Sequence, residues 1–425
     1  MMLQPYRRIL ALPGAVGFSA AGLVARLPYS MLGLSIVLLV STRTGSYADA
    51  GVLAAVEVLS GAAGGPPLAR LIDRYGQTIV MPVAGAVSAT SFGLLIVAVE
   101  SDWPVGWSWL AAAVGGACFP PYGSAVRARW AHAVPERPML TTAFALEGVA
   151  DEIVFMVGPV LVTLLATGVH PAAGLVAAIG CGVVGGILLV AQRSTAPPHS
   201  RGRGRQHAGD RARLQWSLLA PLCLVAVGLG CLFGSVEVVT VAFAEEAGNR
   251  SYAGWLLALW ATGSMVAGLV LGTLPGPGRP LRRLRSGAAL LAVSVAVAAL
   301  AQGPLLLGAL LLVSGMTIAP TLIAATTLAE QYSPASRITE GITWMTTGLT
   351  IGVAPGAALA GAAIDTWGAS PAFVVPIAGG VLAAAAAWMI RDSPARRRGR
   401  AAREGQTVDK SPTPTGVGHG RRHDA

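Results

Sequence analysis

The chain has 425 residues, of which 54% are hydrophobic and 12% charged, with a formal net charge of +10. Soluble globular domains carry about a quarter charged residues, so this balance excludes an ordinary soluble domain. The positive charge does not call for nucleic acid, because most of the excess sits in short gaps between apolar stretches and in the tail.

Twelve apolar runs follow one another, at roughly 14–41, 50–69, 78–99, 106–126, 138–167, 172–192, 216–243, 252–273, 286–302, 304–328, 339–363 and 370–390. Each is long enough to be read as a span of a bilayer core, which takes ~20 residues at 1.5 Å per residue. With the N-terminus inside, 27 of the 30 Lys and Arg residues fall on one side; Arg43 and Arg250 lie in outer connectors and Arg26 within a span. The positive-inside rule therefore places both termini in the cytoplasm, across a plasma membrane. Residues 1–18 have the basic start and apolar run of a signal peptide, but the run exceeds an h-region of about 7–15 residues and reads as a retained first span. The expected fold is an all-α membrane protein of twelve transmembrane helices in two pseudo-symmetric six-helix bundles, 1–192 and 216–391. Between them 193–215, rich in Arg, Gly and Pro, reads as a flexible cytoplasmic linker, and 392–425 as a disordered cytoplasmic tail beside anionic lipid.

The two halves resemble each other. AGVLAAVEVLSGAAGGPPLA, from Ala50, aligns without gaps to AGWLLALWATGSMVAGLVLG, from Ala253, bringing Gly65 to Gly268 and Ala69 to Gly272. Leu146-Glu147-Gly148 in span five likewise meets Thr339-Glu340-Gly341 in span eleven. Two parallel six-span repeats are a transporter build, with the site at the repeat interface near the midplane.

The connector after span two reads Ala69-Arg70-Leu71-Ile72-Asp73-Arg74-Tyr75-Gly76-Gln77. It resembles the signature loop of the major facilitator superfamily, G-x-x-x-D-R-x-G-R/K, and the twelve spans, linker and repeat extend the resemblance over nearly the whole chain. Asp73, Arg74 and Gly76 match; Ala69 replaces the first Gly and Gln77 the last basic residue. The resemblance implies that this loop pairs with neighbouring helix ends on the cytoplasmic side and holds the outward-facing state. Asp73 is then expected to accept from the exposed N–H groups that begin span eleven, where the helix dipole favours an anion, and Gly76 to permit a tight turn into span three. The family's antiporter signature in span five survives only as Gly158-Pro159, a pair that reads, like Pro28, as a helix break, and its membrane Arg in span four is missing. An R-L-P-x-S-M segment, Arg26 to Met31, resembles a group of bacterial permeases.

Charges inside the spans are expensive and normally face a cavity or a partner, at about 2.5–3.5 kcal/mol each on insertion scales. Arg26 lies near the middle of span one, with Pro28 loosening the backbone beside it. Span five carries Glu147, Asp151 and Glu152. At about 100° per residue Glu147 and Asp151 share a face, while Glu152 points elsewhere, at a depth matching Arg26. Arg26 and these acids form either a proton relay and substrate counter-charge or a structural salt bridge between spans one and five. Glu237, in the outer part of span seven, and Trp344, one turn beyond Glu340 in span eleven, are further pathway candidates. Each has a bland alternative, headgroup contact for Glu237 and packing for Trp344. Glu57 in span two is read as a packed acid, and Glu340 as a first-turn acid of its helix. The Gly/Pro segments GACFPPYG and GVAPGAALAG mark bends in spans four and eleven.

No phosphate-cradling or zinc pattern is present, the four cysteines fall inside apolar runs, and none of the six histidines is placed for a relay, so no cofactor, metal or enzyme activity is expected. The expected activity is proton-coupled efflux of a small organic molecule by a monomeric secondary transporter. Nutrient uptake by symport is the alternative within transport, and a transport-inactive sensor or assembly partner the alternative of another class.

Overall fold

The computed structural model describes residues 4–45, 47–134, 136–198, 214–248, 252–274 and 279–390. Most of the expected linker, the whole tail, His199, His207, His419, His423 and Arg250 lie outside the described residues. Among these residues every regular element is helical: α1 (Gln4–Leu10), α2 (Ala15–Arg26), α3 (Pro28–Thr44), α4 (Tyr47–Tyr75), α5 (Gln77–Glu100), α6 (Val105–Ala117), α7 (Tyr122–Ala133), α8 (Arg137–Gly168) and α9 (Ala173–Ala191) come first. A short 3₁₀ turn, Arg193–Thr195, opens the linker. Then follow α10 (Trp216–Glu246), α11 (Tyr252–Thr273), α12 (Pro280–Ala298), α13 (Pro304–Gly315), α14 (Ile318–Tyr332), α15 (Ile338–Trp367), α16 (Ala369–Ala372) and α17 (Val374–Met389).

Among the described residues, ten stretches are long and apolar enough to cross a membrane. The two expected spans outside that set each have a local cause. Span four is split at Cys118–Pro121, where two consecutive prolines cannot donate to the helical ladder. Span nine is α12, whose first two turns carry Arg282, Arg283 and Arg285 and so depress its hydropathy.

Span one breaks at Leu27, and Pro28 opens α3 at a position where its missing N–H leaves no bond unmade. Span ten breaks at Met316 and Thr317, the counterpart of the break in span four. By contrast, the break expected at Gly158-Pro159 is absent, for α8 runs through both residues. Pro159 removes one rung of the ladder, which a packed membrane helix tolerates. Ser30 of α3 donates to the neighbouring Val154 carbonyl at 2.7 Å. Gly158 serves close approach instead, since a Cβ there would collide with the Ser30 hydroxyl. α15 is likewise unbroken at Pro355.

Pairings repeat between the halves. α3 packs on α8 and α9, as α10 packs on α15 and α17; α4 packs on α6, as α11 packs on α13; α5 packs on α9, as α12 packs on α17. Two seams join the halves, α4 against α15 and α8 against α11, and these too correspond. One buried cluster, built on Tyr6, Phe18, Ile72, Trp130 and Phe144, includes Leu271 and Ile323 and so crosses the seam. Another, built on Met31, Ile36, Leu39, Phe92 and Leu175, stays within the first half. Large apolar side chains such as Val83, Leu94, Phe155, Leu188 and Leu290 are exposed on the outside. That belt would be unfavourable in water and suits lipid.

Candidate functional site

Arg26 ends α2 at the break in span one, which aims its side chain at α8. The guanidinium is 2% exposed and fully engaged: Nε donates to the Gly22 carbonyl at 3.0 Å, Nη1 to Asp151 Oδ1 at 2.7 Å and Nη2 to Glu147 Oε2 at 2.5 Å. Glu147 and Asp151 are one helical turn apart, so one planar fork reaches both. The second oxygen of each acid is also taken. Glu147 Oε1 accepts from Trp130 Nε1 at 2.7 Å and Ser19 Oγ at 2.8 Å, while Asp151 Oδ2 accepts from Arg127 Nη2 at 2.5 Å. The network thus holds two cations and two anions with their hydrogen bonds met, the condition under which buried charge is tolerated. Its two ends differ in access: Glu147 is fully buried, whereas Asp151 keeps 35% of its side chain exposed. Beside the exposed end stands Tyr29, also exposed, edge-on to Phe119 and donating to the Pro120 carbonyl at 3.3 Å.

Glu152 is not part of this network, which corrects the pairing with Arg26 that equal depth suggested. The reason is angular. One residue beyond Asp151, the side chain swings about 100° around α8 and turns toward Ser264 of α11 across the seam. The Ser264 hydroxyl is buried there and has no hydrogen-bond partner among the described residues. Among the described residues Glu152 forms no ion pair. Glu237 is exposed on α10. Trp344 is half-buried and packs edge-on against Trp216, ring centroids 5.2 Å apart, with its indole N–H buried and without an acceptor. Glu57 is buried where α4 crosses α6.

At the end of the bundle where α4 turns into α5, Gly76 takes φ 95° and ψ 149°, a conformation open to glycine alone. The turn brings Asp73 under the start of α15. Its carboxylate accepts from Glu340 N at 2.9 Å and Thr339 N at 3.3 Å, two of the donors that a helix start leaves free. Glu340 in turn accepts from Arg337 at 2.6 Å and pairs with Arg70 at 3.4 Å. Arg74, which carries the motif, instead lies over the Tyr75 ring at 5.1 Å. Ala69 is buried in the α4 core face, and Gly65 faces Thr343 of α15. Gln77, standing where the family pattern has a basic residue, is buried; its amide oxygen accepts from Arg129 Nε at 2.7 Å. Arg129 thus brings a guanidinium to the loop from α7.

The other seam has a fastening that the sequence did not disclose. Tyr6 of α1 donates to the Leu269 carbonyl of α11 at 2.9 Å, and Thr142 of α8 donates to the Gly272 carbonyl at 2.7 Å. Burial pushes the Tyr6 phenol up to about 12, which keeps it a donor. Arg127, Trp130 and Ser19 are equally hard to read from sequence: each is polar near a helix end or lone in an apolar run, and only packing shows what it faces.

A family model described as Major Facilitator Superfamily matches residues 18–347. Among solved structures, the human organic anion transporter MFSD10 (TETRAN) is similar with TM-score 0.68 and 16% identity, over 91% of this chain and 100% of that one. A bacterial homologue of the iron transporter ferroportin in an outward-facing state has TM-score 0.66 and 13% identity, over 88% and 98%. The transporter FucP in the outward conformation has TM-score 0.62 and 14% identity, over 91% and 100%. At these identities the likeness is one of fold. No curated protein matches the sequence.

Proposed function

The chain belongs to the major facilitator superfamily of multi-pass membrane transporters, and from that premise we propose that it exports a small organic molecule in exchange for protons by alternating access. Both termini face the cytoplasm of a plasma membrane, and one chain supplies both halves that the cycle needs, so a monomer suffices.

The carrying observation is the division of labour among the three acids of α8. Protonating Glu147 or Asp151 would break ion pairs to Arg26 or Arg127. Protonating Glu152 breaks none, and it neutralises a charge at the α8–α11 seam, opposite Ser264. A charge that changes on a moving seam interacts differently with the two states, which is what a coupling ion must do to shift their balance. The exposed edge of Asp151 with Tyr29 offers an acid and an aromatic face to an organic cargo. The fastenings at Asp73, Thr142 and Tyr6 lie at one end, where the buried cluster also crosses the seam, and support an outward-facing reading of the conformation.

The test is flux in proteoliposomes across a panel of organic compounds, with and without a pH gradient. Efflux-type exchange requires uptake of cargo into vesicles that are acidic inside, and Glu152→Gln should abolish this while leaving counterflow exchange largely intact. Accumulation only with acid outside would establish symport instead. Gradient-driven flux by Glu152→Gln at the wild-type rate would remove Glu152 from the mechanism.

A further inference from the structure

The chain enters α12 through Arg279-Pro280-Leu281-Arg282-Arg283, with Arg279 as the N-cap, and burial along the helix follows a helical period. Leu281, Leu284, Ala288, Leu291 and Val295 face inward, while Arg279, Arg282, Ser286, Leu290, Val293 and Val297 are exposed along one stripe. The stripe changes character along its length, basic and hydroxylic for the first two turns and aliphatic thereafter. Arg279, Arg282, Arg283 and Ser286 surround an open concavity of about 330 Å³. Among the described residues none of these three arginines forms an ion pair. The fourth arginine of the segment is already engaged: Arg285 donates to the Ala387 carbonyl at 3.2 Å and lies 5.2 Å from the centroid of the exposed Trp388 ring. Tryptophan on an apolar surface beside arginine marks the headgroup level of a bilayer.

We propose that Arg279, Arg282, Arg283 and Ser286 form a headgroup site for an anionic phospholipid, whose acyl chain lies along Leu290, Val293 and Val297. Three guanidiniums present forked N–H pairs that match phosphate oxygens. The free N–H groups and dipole at the start of α12 add to the same attraction. What favours a lipid over free phosphate is continuity: the concavity opens onto the aliphatic stripe within one turn, so a headgroup held there lays its chain against exposed apolar surface. Such a site would fix the start of α12 at the membrane surface, on the element that follows the α8–α11 seam.

The test is native mass spectrometry of the full chain in detergent, titrated separately with phosphatidylglycerol, phosphatidylcholine and inorganic phosphate. Saturable binding of phosphatidylglycerol, at least tenfold tighter than the other two, is expected. Replacing Arg279, Arg282 and Arg283 together by Gln should reduce it to the phosphatidylcholine level, while replacing the tail arginines Arg396, Arg397 and Arg398 should not. Should the triple variant fail to fold, Arg282→Gln alone should weaken phosphatidylglycerol about fivefold. Equal binding of both lipids, phosphate binding as tight as phosphatidylglycerol, or unchanged binding by the arginine variants would each overturn the proposal.

Discussion

Replacing Asp73 by Asn perturbs the contact between the two halves at a single, nearly isosteric point. The carboxylate accepts from two backbone N–H groups at the start of α15, at 2.9 and 3.3 Å. An amide can offer its oxygen to only one of them and turns an N–H toward the other. A hydrogen bond to a charged group contributes about 1.5–3 kcal/mol, and an anion at a helix start about 0.3–1 kcal/mol. Losing one bond and the charge therefore weakens the fastening by about 2 kcal/mol, a shift of about 30-fold between the conformations closed and open at this end. Abundance in the membrane should stay near wild type, because few of the buried contacts of α4 depend on Asp73. Spin labels at one exposed position on α5 and one on α12, near this end, would read the populations by pulsed dipolar spectroscopy, alongside flux at equal abundance. A distance distribution and a flux both unchanged from wild type would refute the reasoning.

Tyr6→Phe removes the phenol that donates to Leu269 and should shift the same equilibrium about fivefold in the same direction, for one neutral bond of about 1 kcal/mol. The folded phenol value of about 12 lies above the ordinary 10, so the neutral donor's contribution is complete below pH 10 and fades only as pH rises toward 12; the shift should be constant from pH 6 to 9. Glu147→Ala leaves Arg26 and Trp130 without their shared acceptor and should destabilise by about 3–5 kcal/mol, seen as a lower melting temperature in detergent. Arg26→Ala combined with Glu147→Ala should be less damaging than the two changes summed, and simple additivity would deny their coupling. Arg127→Gln should change cargo affinity more than stability, because it frees the exposed Asp151 oxygen; a melting loss without an affinity change would place Arg127 in the scaffold alone.

Much of this architecture is legible in the sequence because lipid imposes simple rules. Span length, basic residues on one side and the recurrence of a 20-residue segment give the helices, while D-R-x-G gives the turn at Gly76 and the partner of Asp73. Facing is harder. The 3.6-residue period puts Glu147 and Asp151 together and turns Glu152 away, yet it cannot say that α7 lies opposite with Arg127 and Trp130. Depth alone suggested Glu152 for Arg26, and rotation about α8 overrode it. Pro159 and Pro355 read as breaks but sit within unbroken helices, since neighbouring helices support a ladder that lacks one rung. Tyr6 lies before the first span and has no periodicity to mark it, so only the packed α1 reveals its reach to α11.

Alternating access requires the α4–α15 seam to open and close in each cycle, and a cross-link across it addresses that requirement most directly. A Cβ at Gly65 would lie 3.3 Å from the Thr343 Cγ2, close to where the sulfur introduced by Thr343→Cys would sit, so Gly65→Cys with Thr343→Cys has the reach of a disulfide. In a background with Cys118, Cys181, Cys223 and Cys231 replaced, flux by this pair should be wild-type-like when reduced, vanish on oxidation and return with reductant. Full-rate flux by fully oxidised protein would contradict the account.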